Sequence, residues 1–312
     1  MSPSGRISVV VAAVLGIAVI AAVLTRRRPV ISQSVPSAPA SLAVADVPEA
    51  DWCAAGFEPI PGGACFAAPA ATPAPPRLLI YLHGRYARDV TAEETDRQRR
   101  LGQRATARGF AVLAFRGQLG ECTAPELATW FCWPSNEHNA DNAPEFVGAW
   151  ARALAAAEER VGSRTRYVLG FSNGGYFAGL LAVRGLFDAT AFVVAHGGPV
   201  EPIVSLPVRV PILLLSADDD ISQDEMIRFD EELVREKWAH DSYARSGGHA
   251  LTDEDIDAAI AFFSRAGEAL PLDPPLPLHR PVHHSHEADA AVVGVTAAED
   301  AVVPVPAAED AL

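Results

Sequence analysis

Basic residues are in deficit: 25 lysines and arginines stand against 39 acids, and the net charge is −14. Phosphate contacts need clustered Lys and Arg, so the deficit argues against a nucleic-acid backbone as ligand. Cysteine is scarce as well. The four residues, Cys53, Cys65, Cys122 and Cys132, form no C-x-x-C pair and have no histidines at zinc-finger spacing. Four cysteines allow three connectivities. The short-range pairing Cys53–Cys65 and Cys122–Cys132 is favoured, with four ordinary buried thiols as the alternative. Charged residues are missing altogether from the apolar run Ile7–Leu24 (ISVVVAAVLGIAVIAAVL), which lies between Arg6 and Arg26-Arg27-Arg28. Such a run is near the lower limit for a membrane span and long for a signal-peptide core. Three arginines directly after it favour an uncleaved anchor over a cleaved signal. Positive flanks prefer the cytoplasm, whereas paired cysteines favour an oxidising compartment. The folded domain is expected outside the cytoplasmic membrane.

What is present divides the chain into four parts. Residues 1–28 read as the membrane anchor or signal segment. Residues 29–50, rich in Pro, Ser, Ala and Val, read as a linker. Residues 51–266 carry the periodic sequence, enough to bury a substantial core. Residues 267–312 turn to Pro, Ala, His and acids, with AVVGVTAAED at Ala291–Asp300 followed by AVVPVPAAED at Ala301–Asp310. That near-repeat is too small-sided to stack, so the tail is expected to be disordered. Its His279, His283, His284 and His286 read as a solvated tract rather than a metal site.

Within 51–266, apolar runs alternate with helix-like stretches. Strands are predicted at Arg77–Leu82, Phe110–Phe115, Arg166–Phe171, Ala191–Ala195, Pro211–Leu215 and Asp241–Ala244. Helices are predicted at Glu93–Arg108, Ala143–Val161, Gly174–Arg184, Gln223–Lys237 and Thr252–Arg265. Continuous apolar strands suit a parallel sheet buried on both faces, with helices covering it.

Gly170-Phe171-Ser172-Asn173-Gly174, followed by Gly175, fits G-x-S-x-G in the right setting. A strand leads in and a small-residue helix leads out, so the turn lifts the serine hydroxyl above the sheet edge. A serine needs a base to take its proton and a third group to orient that base. Acid and histidine should follow in that order. Ser216-Ala217-Asp218-Asp219-Asp220 ends one strand, and Ser246-Gly247-Gly248-His249 follows the next. Spacing from the strand end favours Asp219 as the acid, while Asp218 and Asp220 could serve as turn or cap residues. Oxyanion donors are expected from the backbone N–H of Asn173 and of Arg85. His83 reads as structural, and His196-Gly197-Gly198 as a plain loop after a strand.

Taken together, LHGR at Leu82–Arg85, GFSNGG at Gly170–Gly175, the Asp run and GGH at Gly247–His249 resemble bacterial α/β-hydrolase esterases. The elbow is most similar to the polyhydroxybutyrate-depolymerase and feruloyl-esterase-like group. The likeness leaves out both ends, and Ser216 stands where many relatives have glycine. It implies an α/β-hydrolase fold and ester cleavage through an acyl-enzyme on Ser172, with no metal or other cofactor. An exopeptidase or amidase with the same triad is the alternative, and a non-catalytic envelope-associated binding protein a more distant one. The implied partner is a small or polymer-borne ester, with the membrane engaged through the N-terminal segment in a bacterial cell envelope. The interval from His196 to Val210 is too short and proline-rich for a helical lid, so no sizeable cap domain is expected. The one insertion, Gln118–Asn142, carries Trp130, Phe131 and Trp133 around Cys132. Trp130 and Trp133 are expected to wall an open cleft that accepts bulky esters.

Overall fold

The computed structural model describes residues 52–69, 76–199 and 202–267. The expected anchor and linker, and the tail beyond Gly267, lie outside them. Among the described residues no helix is long and apolar enough to cross a membrane.

The apolar runs become the strands of one sheet. In chain order its strands are β1 (Glu58–Ile60), β2 (Ala64–Ala67), β3 (Arg77–Leu82), β5 (Phe110–Phe115), β8 (Arg166–Phe171), β9 (Ala191–Ala195), β10 (Ile212–Ala217) and β11 (His240–Arg245). They lie in the order β1-β2-β5-β3-β8-β9-β10-β11. From β5 to β11 every neighbouring pair is parallel. Strand β2 pairs antiparallel with both β1 and β5. Strands β1 and β2 were not anticipated, because strands of three and four residues show too little alternation to stand out from a Gly- and Pro-containing stretch.

Each central strand sends alternate side chains into two cores. Leu78, Ile80, Val168, Val194 and Leu214 pack on one face with α2 (Ala143–Ala149), α3 (Ala151–Val161), α4 (Asn173–Arg184) and α5 (Gln223–Arg235). Leu79, Tyr81, Leu169, Val193 and Leu215 pack on the other with α1 (Ala92–Thr106) and α6 (Asp253–Gly267). Burying each such side chain is worth about 1.5–3 kcal/mol, and two-sided burial is why these strands read as unbroken apolar runs rather than alternating ones.

Two boundaries moved for reasons of packing. The single helix expected over Ala143–Val161 breaks at Trp150. Its indole stacks on Phe115 at 4.5 Å and meets Trp133, Phe177 and Phe187 edge-on. Strand β10 runs to Ala217, two residues past the predicted end, with consequences for the acid described below.

The insertion after β5 joins a short strand from the loop after β3 in a second, small sheet. In it β7 (Trp130–Cys132) pairs antiparallel with both β4 (Tyr86–Ala87) and β6 (Gln118–Leu119). Cysteines pair as Cys53–Cys65 and Cys122–Cys132, the short-range connectivity favoured from spacing. Mass mapping without reductant should find both bridges. Reducing either is expected to cost about 3 kcal/mol in a urea unfolding measurement, the chain-entropy value for loops this short. Four free thiols would contradict the pairing.

Candidate active site

The elbow is built by close approach of backbones. A Cβ at Gly170 would sit 2.0 Å from the Gly174 carbonyl oxygen, and one at Gly174 would sit 2.2 Å from that of Leu82. Only glycine fits at either position. Between them Ser172 takes φ 54°, ψ −122° at the start of α4, a strained conformation for a residue with a side chain. Its N–H donates to the Ala195 carbonyl at 2.8 Å, which fixes the turn against β9.

Ser172 Oγ lies 2.7 Å from His249 Nε2. His249 Nδ1 lies 2.8 Å from Asp220 Oδ1. The acid facing the histidine is therefore Asp220, and the expectation of Asp219 is corrected. The cause is the longer β10. Parallel pairing with β11 reaches Ala217↔Arg245, and the next two amides continue toward the histidine loop. Asp218 N–H donates to Arg245 O and Asp219 N–H to Gly247 O, both at 3.0 Å. Both residues are exposed, whereas Asp220, one residue further round the turn, is buried. Asp218 instead ties the two loops together, its Oδ1 accepting from Gly247 N–H at 2.7 Å.

Burial would raise the Asp220 pKa. Donors from Ser222 N–H, His249, Ser222 Oγ and His196 outweigh it and hold the group at about 2. The Ser222 donors both reach Oδ1 at 2.7 Å. Asp220 is thus an anion throughout the neutral range. His196, expected to be a plain loop residue, is fully buried and meets Asp220 Oδ2 through Nδ1. Nothing in a lone His-Gly-Gly after a strand signals that position. His196, Asp220 and His249 also offer three ligand atoms within 4.8 Å of one another. A metal ion there would displace the hydrogen bonds these atoms already make.

Asn173 opens α4, so its N–H is among the donors a helix leaves unpaired at its start. Gly84 packs against the nucleophile from the other side: a Cβ on it would lie 3.1 Å from Ser172 Cβ. Arg85, the second expected donor, follows directly. His83 anchors this loop. Its Nε2 accepts from Gly117 N–H at 2.8 Å, so the proton sits on Nδ1, which donates to Gly84 O. Burial lowers its pKa to about 3, and the ring stays neutral. The side chain of Asn173 braces the same region, accepting from Trp133 N–H at 2.8 Å and donating to Ser135 Oγ at 2.6 Å.

Trp133 does not wall a cleft, contrary to expectation. It is fully buried, stacked on Phe177 at 5.5 Å, and its indole N–H donates to His83 O at 2.8 Å. An aromatic with an internal partner for its N–H belongs to the core. Trp130 is half-buried in β7 and keeps an exposed edge. Trp133→Ala is accordingly expected to lower stability by about 3–5 kcal/mol. Trp130→Ala should leave stability nearly unchanged. Urea midpoints of the two variants check this difference.

No protein-family model matches the chain, and no curated protein does. Similar solved structures include a Bacillus cereus carboxylesterase at 16% identity, covering 68% of this chain and 95% of its own, with TM-score 0.49. Arabidopsis thaliana SOBER1 is 16% identical, covering 61% and 98%, with TM-score 0.49. Esterase PE8 is 20% identical, covering 64% and 96%, with TM-score 0.46. Likeness at this level says nothing about substrate. The strand order, with its antiparallel β2 beside β5, and the serine elbow between β8 and α4 give the chain the α/β-hydrolase fold.

Proposed function

We propose that the chain is a serine hydrolase that cleaves carboxylic esters through an acyl-enzyme on Ser172. The observation that carries this reading is the unbroken hydrogen-bonded series Ser172 Oγ, His249 Nε2, His249 Nδ1, Asp220 Oδ1 on a strained elbow. Ser172 Oγ attacks the ester carbonyl carbon while His249 Nε2 takes its proton. The resulting oxyanion is held by the N–H groups of Asn173 and Arg85. Collapse expels the alcohol, which leaves with the proton from His249. Water then gives its proton to His249 and attacks the acyl carbon; collapse breaks the bond to Ser172 Oγ, which takes the proton back from His249 as the acid departs. Asp220 stays ionised and orients the imidazole.

A fluorophosphonate probe should label the native protein, and mass mapping should place the label on Ser172. Chelation with EDTA should leave both labelling and ester turnover unchanged. Absence of labelling would overturn the reading. We place the enzyme in a bacterial cell envelope, held by its N-terminal segment, because two disulfides suit an oxidising compartment. Protease accessibility in intact cells against lysed cells tests the placement.

A further inference from the structure

Behind Asp220, on the side away from Ser172, lies a set of buried polar groups that the ester chemistry itself does not touch. His196 ends β9 with its N–H donating to Leu215 O at 2.8 Å, and it takes φ 56°. Few side chains adopt that conformation, and it persists where the surroundings dictate it. Beyond the Nδ1 contact to Asp220, Nε2 faces Asp255 Oδ2 and Arg245 Nη2, each at 3.4 Å.

Both of those groups are themselves fixed. Asp255 is fully buried and caps α6: its Oδ2 accepts from Thr252 N–H and Oγ1 at 2.8 Å, while its own N–H donates to Thr252 Oγ1 at 3.2 Å. Arg245 donates through Nε to Asp255 Oδ2 at 3.0 Å. Its Nη atoms reach the carbonyls of Ser246 at 3.0 Å, Gly248 at 3.3 Å and Ala250. Those carbonyls flank His249 on both sides. The contacts close a ring that runs from Asp220 through His249 and its loop to Arg245, Asp255, His196 and back to Asp220.

We propose that His196 is a positioning residue for the reaction, held by Asp255 and Arg245 so that it fixes the Asp220 carboxylate with Oδ1 on His249. The inference rests on the serine-hydrolase reading above. A carboxylate can turn about its Cβ–Cγ bond, and only one orientation serves the imidazole. Ser222 and His249 occupy Oδ1; His196 occupies Oδ2 and removes the remaining freedom. Without it, a buried oxygen of an anion is left bare, a state that side chains or water move to relieve. His196 is fully buried beneath the triad, so its loss should affect the barrier and not ligand binding.

His196→Ala is expected to lower kcat by about 10- to 100-fold, the range for a lost hydrogen bond to a charged group, with KM within about twofold of native. His196→Asn tolerates positive φ and keeps a donor, and it should recover most of the loss. Rates are taken per site titrated with a fluorophosphonate, so that unfolded protein does not count. Native kcat per site in His196→Ala would overturn the proposal, as would equal losses in the Ala and Asn variants. Failure of both variants to fold would likewise overturn it, leaving His196 a purely structural residue. If the native protein takes no label at all, the serine-hydrolase reading fails instead, and that result is distinct from any of these.

Discussion

Replacing Ser172 by alanine is expected to abolish fluorophosphonate labelling and to lower turnover of a short-chain aryl ester by about 10⁶-fold. The nucleophilic oxygen is gone, and a water in its place would lack the geometry that the elbow imposes. His249→Ala should lose a comparable factor, because the serine then has no base at 2.7 Å. The double variant should be no worse than either alone, since the two groups act as one unit. Folding should survive in both, as Ser172 and His249 each retain partial exposure. The decisive measurement is kcat with an intact unfolding transition. Native activity in Ser172→Ala would remove the proposed mechanism altogether.

The second large effect distinguishes three adjacent aspartates. Asp220→Asn should lower kcat by about 10⁴-fold, because an amide can present a donor to His249 Nδ1 and favour the wrong tautomer. Asp219→Asn should stay within a few-fold of native, its side chain being exposed and its backbone N–H unaltered. Asp218→Asn keeps an oxygen for Gly247 N–H and should fall between them. Asp220 also leaves a signature in stability. Its pKa falls from an ordinary 3.8 to about 2 on folding. A depressed carboxylate contributes stability above the unfolded value, and that contribution fades as pH drops through the folded one. The native protein should therefore lose stability between about pH 4 and pH 2, and Asp220→Asn should lose less of it. Acid titrations of the urea midpoint check the sign. A larger kinetic loss at Asp219 would contradict the geometry.

The sequence by itself determined the six parallel strands of the sheet, the elbow and the histidine. The short apolar runs of 51–266, alternating with helix-like stretches, read as buried parallel strands, and the glycines around Ser172 mark a place where backbones touch. His249 follows from its order in the chain and its glycine-rich loop. The tertiary structure alone decided the rest, for reasons of register and packing. Which aspartate turns inward depends on where β10 stops pairing with β11, a shift of register that no local pattern encodes. Trp133 reads as a cleft residue in a loop, yet it is core, because Phe177 and Trp150 come to it from distant helices. His196 is the clearest case. Asp220 lies 24 residues further along the chain and Asp255 59 residues, and only the folded sheet edge brings all three together.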